Sequence, residues 1–484
     1  MNILNRINKS LKIVLDNKIE EQAIENAFLA CFCHLVQLKN VTFTSIKNLK
    51  IPHQPTYYAI NFCCSGGKKN QVVSHINECL LSFANMEYTK INNKIRQQVI
   101  EREIGKLSVD DKNYSFKRTQ IENENADKIY LTFKTNGGTP AAIYDDAKMI
   151  SDYRMGALFA QITEFGDYFR ASLESGNNVN KAFLDMLNNL YDGTIEASTS
   201  LGCKRTELKN IPFSLLFLSD IQELLNDKNN AAFKNRLKSG FARRVNFYID
   251  KNINYAKNPP EKPTKEQKLE AYNEMRNIET ELVYIYQNLY EGSQFVFSAE
   301  ADNFIEQWET ECEKEASKFY QYTDVLSIDD KIKEIEISNS TWKICKMAVL
   351  MQILMGEKTL TISKKAVMEA IEFYTKCRKS LYSILAEKAI TEEENMCNYF
   401  INNQDREINK TELKAQNFVA RGNFSNWFKT SIQEVANLLA EKGFTLVSKK
   451  ERKSEKFMCI RGNIKENEEE TKDVIKEMFK KGGR

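Results

Sequence analysis

The segment Cys64-Ser65-Gly66-Gly67-Lys68-Lys69-Asn70 has the residue types of a phosphate-binding loop. Glycine lets the backbone approach a ligand, and successive N–H groups at a helix start point into one concavity. A lysine neutralises the β- and γ-phosphates, and a side-chain oxygen holds magnesium. Two registers fit. Anchored on Ser65-Gly66, Lys69 is the phosphate lysine and Asn70 takes the hydroxyl position as the metal ligand, with Cys63 at the first glycine and Lys68 at the second. Alternatively Gly67-Lys68 is the pair, with Phe62 at the first glycine and Lys69 at the hydroxyl. The first register is preferred, because a lysine at the hydroxyl position repels a cation. Three further features could complete the chemistry. Glu164 closes the apolar run Gly156–Thr163, where a carboxylate can activate water, although Thr163 stands where a magnesium-holding Asp is usual. Asp220 closes a third apolar run, where it and Ser219 could sense a γ-phosphate. Arg243 and Arg244 end Lys238-Ser-Gly-Phe-Ala-Arg-Arg244, a corner from which arginine can reach a neighbouring subunit's nucleotide or simply complement a helix end.

These residues need strands and helices to place them. Apolar residues at Ala23, Ala27, Phe28, Cys31 and Leu35 predict a helix over residues 20–38, broken by Pro52 and Pro55. The nearly wholly apolar run 57–64 predicts a buried parallel strand, and Val72, Val73, Ile76, Leu80 and Leu81 predict a helix after it. Further strands are predicted at 128–134 (ending at the turn Asn136-Gly137-Gly138), 156–163, 210–218 and 245–249. Helical patterns between them imply a mostly parallel α/β sheet. The capping box Thr264-Lys-Glu-Gln267 opens a stretch read as helical to Ala389, with Trp308, Phe319, Trp342, Met347 and Leu350 among its expected core. A second box at Thr391 opens a last module of helices followed by Phe444–Val447 and Phe457–Ile460, a winged-helix pattern. The expected divisions are 1–50 (helical), 51–258 (sheet core), 259–389 (helical), 390–463 (winged helix) and 464–484 (charged tail).

Composition limits the alternatives. A net charge of +3 over 484 residues excludes a polycation, so any nucleic-acid contact must come from a local patch. Eleven cysteines without pairing rhythm suit a reducing compartment. Cys31-Phe-Cys33-His34 lacks a second ligand pair at zinc spacing and reads as packing. With no signal-like or membrane-length apolar stretch, the expectation is a soluble cytoplasmic protein without a membrane partner.

Taken together, Pro55-Thr-Tyr-Tyr-Ala-Ile-Asn-Phe-Cys-Cys-Ser-Gly-Gly-Lys, Thr139-Pro140 and Leu158-Phe-Ala-Gln-Ile-Thr-Glu-Phe-Gly carry a resemblance. Leu190-Tyr-Asp-Gly193, Lys209-Asn-Ile-Pro-Phe-Ser-Leu-Leu and Ser239-Gly-Phe-Ala-Arg-Arg extend it. From about residue 20 to 385 the chain resembles the P-loop ATPases found beside primases in phages and mobile elements, within the replicative helicase-like set. That resemblance implies a P-loop NTPase core (AAA+-like favoured over RecA-like) using ATP and Mg²⁺. It also implies a homo-oligomeric ring on DNA and a primase or other replication partner. Ser65, Gly66, Gly67, Lys68, Lys69, Asn70 and Asp220 would bind nucleotide. Glu164 would polarise water, and Arg243 or Arg244 would act across the ring interface. The alternative reading is a degenerate, non-hydrolysing P-loop protein that binds DNA or a replication partner.

The C-terminal module has its own signal. From Lys442 to Arg461 there are seven Lys/Arg against two Glu. Lys449, Lys450, Arg452 and Lys453 on the hairpin, with Lys429 beside Asn426, Thr430 and Gln433 on the long helix, are the expected DNA contacts.

Overall fold

The computed structural model describes residues 2–45, 48–64, 67–108, 112–135, 139–166, 178–200, 203–225, 227–250, 260–320, 326–386, 392–416, 418, 424–451 and 454–461. Ser65, Gly66, the turn at 136–138, Thr391, Arg452, Lys453 and the charged tail lie outside the described residues. The chain divides into two compact units, residues 1–224 with 231–387, and residues 388–484 with 225–230.

The first unit begins with α1 (Ile3–Val14) and α2 (Glu21–Gln37). Every residue of α2 from Ala23 to Gln37 is buried, as a helix apolar on all sides requires. Strands β1 (Thr42–Ser45) and β2 (Asn48–His53) follow, then β3 (Tyr58–Cys63), whose six residues are all buried. Beyond the loop, α3 (Lys69–His75) runs into a π-turn at Ile76–Leu80, followed by α4 (Ala84–Ile104) and α5 (Tyr114–Asn125). Next come β4 (Lys134–Thr135), α6 (Pro140–Tyr153), β5 (Leu158–Ile162) and α7 (Asn178–Tyr191). A small ribbon, β6 (Ser198–Ser200) and β7 (Cys203–Arg205), precedes β8 (Phe213–Asp220). Helices α8 (Ile221–Leu225) and α9 (Asp227–Arg236) lead to β9 (Val245–Ile249). The unit is thus mixed α/β around a parallel five-stranded sheet of order β4-β5-β8-β3-β9.

Buried amides fix α2 against this sheet. Asn26 Nδ2 donates to Asn61 Oδ1 at 2.7 Å, and the Tyr57 hydroxyl donates to Asn26 Oδ1 at 2.7 Å. Asn61 Nδ2 returns to the Ala23 carbonyl at 2.9 Å, while Gln37 Nε2 donates to the Pro55 carbonyl at 2.7 Å. Each amide satisfies another, so polar atoms sit in the core without a desolvation debt.

The strand expected over 128–134 is reduced to the edge pair β4. Its N-terminal half gives its backbone to a side chain instead: the Tyr130 and Leu131 N–H groups donate to Asn92 Oδ1 at 3.2 and 3.1 Å. Asn92 Nδ2 in turn donates to the Leu131 carbonyl at 3.2 Å.

The region expected to be helical from Thr264 to Ala389 contains two strands. Helix α10 (Lys265–Asn288) opens on the expected box, with Gln267 N–H donating to Thr264 Oγ1 at 3.2 Å and Thr264 N–H to Gln267 Oε1 at 2.8 Å. Then follow β10 (Gln294–Phe297), α11 (Ala299–Lys318), α12 (Ile328–Ser338), α13 (Ser340–Leu354), β11 (Thr361–Ile362) and α14 (Lys364–Ala386). A second sheet of order β11-β10-β1-β2 joins these strands to the N-terminal ones, β1 and β10 running parallel and β1 and β2 antiparallel. All of these elements except β2 contribute to one apolar core with the parallel sheet.

The second unit contains α15 (Glu392–Asn402), β12 (Ile408–Asn409), α16 (Lys410–Ala415), α17 (Phe424–Glu441), β13 (Phe444–Glu451) and β14 (Ser454–Arg461). Its antiparallel sheet has the order β12-β14-β13. Phe400, Phe428, Val435, Leu439 and Phe457 form a separate core.

Candidate functional site

All five strands of the main sheet are parallel, so their C-terminal ends share one edge. In register, Phe62 faces Ser219 and Ile249, and Cys63 faces Asp220. The ends of β3, β8 and β9 therefore meet beside the loop. On β5, Ile162 pairs with Phe217, and the Gly166 N–H donates to Ser219 Oγ at 3.1 Å. Glu164 thus emerges at this same edge, exposed and without a hydrogen-bond partner among the described residues.

The loop closes tightly. Gly67 N–H donates to the Cys64 carbonyl at 3.0 Å, and a Cβ on Gly67 would stand 3.0 Å from that oxygen, so a larger residue forces the backbone to shift. Lys68 follows in the left-handed region at φ 52°, directly before α3. Its ammonium pairs with Asp16 at 2.6 Å, and Asp16 also pairs with Lys268. Those two lysines hold the Asp16 carboxyl down at about 2. Lys69 is the first residue of α3, half-buried and without an ion-pair or hydrogen-bond partner among the described residues. Asn70, next in the helix, is exposed. The two adjacent lysines therefore differ: one is engaged by a carboxylate, and the other is available.

The arrangement contains a carboxylate absent from the sequence-based site. Asp250, one residue beyond β9, is 1% exposed. Its N–H donates to the Phe62 carbonyl at 2.8 Å, and its Oδ2 accepts the Cys64 thiol at 3.2 Å. Oδ2 would lie 3.7 Å from a Cβ on Gly67, so this carboxylate touches the loop's turn. Burial, and then the bond to Asp250, push the Cys64 thiol up to about 12, which keeps it a donor. An apolar strand ending in an acid was the signal read at Glu164; the same signal at 245–250 identifies Asp250. Asp220 is partly committed, because the Gln222 N–H donates to its Oδ1 at 3.0 Å and caps α8.

At this edge an unpaired lysine and the first turn of a helix lie near the end of a parallel sheet, beside the Asp250 carboxylate. A divalent cation is less well provided for. Among the described residues no three His, Cys, Asp or Glu side chains gather to hold one, and Asn70 offers one amide oxygen. Cys31, Cys33 and His34 lie buried in the core of α2. Ser214 Oγ contacts Cys33 Sγ at 3.4 Å, while the His34 ring stacks on Phe159 at 5.3 Å.

Arg243 and Arg244 precede β9 and so sit at the opposite edge of the sheet. Arg244 is 6% exposed, and its guanidinium donates to Asp192 Oδ2 at 2.9 Å and to the Gly240 carbonyl at 3.0 Å. Arg243 is half-buried, with no hydrogen-bond or ion-pair partner among the described residues. Burial first, and the Arg244 charge second, push its pKa down. Both line a cavity of about 450 Å³ with Lys346 and Trp342 of α13. Trp342, expected in the core, is 39% exposed at the mouth of this cavity.

In the second unit, Asn426, Lys429, Thr430 and Gln433 share the exposed face of α17, opposite the buried Phe428, Val435 and Leu439. Lys449 is exposed on β13 and lies opposite Lys456, which pairs with Glu407 at 2.8 Å. Lys450 lies opposite Glu455. Among the described residues no helix is long and apolar enough to cross a membrane. No protein-family profile and no curated protein matches the sequence.

Proposed function

We propose that this chain is a ring-forming, replicative helicase-like or origin-processing ATPase that acts on DNA, with the AAA+-like version of a P-loop core and a winged-helix C-terminal unit. The observation that carries the reading is the placement of Lys69 and Glu164 at one sheet edge with a single strand, β8, between their strands. Neighbouring strands lie about 4.8 Å apart, so β5 stands roughly 10 Å from β3. That gap takes a terminal phosphate and one attacking water between a lysine and a carboxylate. Lys69, the Gly67 turn and the start of α3 would hold the phosphates. Glu164, free of partners among the described residues, would orient and deprotonate the water. Asp220 and Ser219 would sense the terminal phosphate from the intervening strand.

An arginine finger cannot act within one chain here, because the arginines sit across the sheet from the loop. A neighbour in a ring would have to supply it, and Arg243 is the better candidate because Arg244 is held by Asp192 and Gly240. DNA would lie on the exposed face of α17 and the β13–β14 ribbon.

One observation favours the non-hydrolysing alternative. The Asp250 carboxylate lies against the loop, and a negative charge there opposes phosphate. Thr163 at the usual Asp position points the same way. DNA-stimulated ATP hydrolysis by wild type beside Lys69→Ala, Glu164→Gln and Lys68→Ala decides between them. The motor reading expects loss in the first two and retention in the third; wild-type activity no higher than that of Lys69→Ala would leave the alternative.

A further inference from the structure

Apart from Arg243, the cavity at the N-terminal edge of the main sheet has features that the proposed motor does not use. Its lining brings together the guanidinium groups of Arg243 and Arg244, the ammonium of Lys346 and the imidazole of His53. Asp192 is the one acid among its lining residues, and Arg244 already engages it at 2.9 Å. Asp192 is also 57% exposed at its side chain, so water weakens what it can offset.

The remaining charge is only partly offset, by the same Asp192 acting at a distance. Lys346 is buried, its ammonium donating to the Tyr191 carbonyl at 2.9 Å and lying 3.6 Å from the centre of the Tyr191 ring. Among the described residues no carboxylate forms an ion pair with it. Arg243 has no partner among the described residues, and His53 Nε2 is buried without one. Two cations and an imidazole thus line space large enough for a small ligand. Buried charge without a counter-ion is costly, and an anion from solution would relieve that cost.

One wall is aromatic. The Trp342 and His53 rings meet edge-on at 4.7 Å, and Trp342 keeps 39% of its surface open. A flat ring can lie on that indole while its anionic group reaches the cations.

We infer that this cavity binds a nucleoside monophosphate, the phosphate held by Arg243 and Lys346 and the base against Trp342. The site is separate from the loop and does not depend on the loop binding ATP. It also differs from an arginine finger, which acts on a neighbour's γ-phosphate, a group that a monophosphate lacks.

Calorimetric titration of AMP into the full chain tests this. Saturable binding at one site per chain is expected, weakened at least ~10-fold in Arg243→Ala through loss of a charge-assisted contact. Gln54→Trp, which fills the cavity, should abolish it, while Lys69→Ala should leave it unchanged. AMP should quench intrinsic fluorescence in wild type, and Trp342→Phe should remove that quenching. Circular dichroism checks folding, and if Arg243→Ala does not fold, Gln54→Trp carries the test. No saturable AMP heat in wild type overturns the inference. Binding that survives Gln54→Trp, or that Lys69→Ala removes, places AMP elsewhere and overturns it too. Inorganic phosphate bound as tightly as AMP would overturn the assignment of a base to Trp342.

Discussion

Where β3, β8 and β9 end, Lys69 and Glu164 reach the surface without partners among the described residues, and the edge is open. Where β9 begins, α13 sinks two lysines into the protein. Lys343, 3% exposed, donates to the Val245 carbonyl at 2.9 Å, and Lys346, one turn later, donates to the Tyr191 carbonyl. Both edges carry cations, yet they are held in different ways. At the open edge a charge costs little and stays free to meet a ligand. At the covered edge each ammonium carries a desolvation cost and gives one of its three donors to a backbone carbonyl. Residue type alone therefore does not show how a lysine is held; its partners and exposure do.

The sharpest way to break this contrast is through activity. Lys69→Ala and Glu164→Gln are each expected to lower DNA-stimulated ATP turnover by roughly 10²–10³-fold, while Lys68→Ala stays within a few-fold of wild type. Turnover lost in Lys68→Ala and kept in Lys69→Ala would reverse the assignment of the two lysines.

At the covered edge the large effect is on stability. Lys343 pairs with Glu336 at 3.2 Å, the two side chains being 2% and 1% exposed. Lys343→Met strands that carboxylate and should cost about 3–5 kcal/mol in urea unfolding. A second Glu336→Gln change should recover much of the loss.

Lys346 offers a pH readout. Burial lowers its pKa from 10.5 to about 8. Below pH 8 both folded and unfolded chains hold the proton, and the cost of the buried charge is present in full. Between pH 8 and 10.5 the unfolded chain binds more protons, so stability rises with pH across that window. The rise is on the order of 3 kcal/mol. Comparing wild type with Lys346→Met at pH 7.5 and 10.5 isolates it; parallel pH profiles would mean that the amine is not desolvated.

The smallest expected change lies in the second unit. Lys449/Lys450/Arg452/Lys453→Ala should weaken DNA binding and flatten its salt dependence by up to four counter-ions' worth of slope. An unchanged slope would remove the ribbon from the DNA surface.

Much of the main sheet could be read from the sequence because its strands are continuous apolar runs closed by acids or turns, as at Tyr58–Cys63, Leu158–Ile162 and Val245–Ile249. The second sheet could not be. Gln294–Phe297 alternates exposed and buried residues over only four positions between long helices, and its partner strand lies some 250 residues earlier. Trp342 read as core by its size, yet its face opens on the cavity, which sequence periodicity does not encode. Asp250 was legible in type as the acid that ends an apolar run, but its place beside the loop depends on β9 pairing with β3, about 190 residues earlier in the chain.

The second sheet also constrains how the chain can be made. On the side away from β2, Thr42, Phe43 and Thr44 pair with Gln294, Phe295 and Val296, and Val296 and Phe297 pair in turn with Thr361 and Ile362. A ribosome must therefore release most of the first unit before its N-terminal strands can be seated. Until then β1 presents an unpaired edge on the side away from β2 for a synthesis time of tens of seconds at about 5–20 residues per second. Early truncations of this chain should consequently need chaperones, whereas a fragment ending after α14 should not.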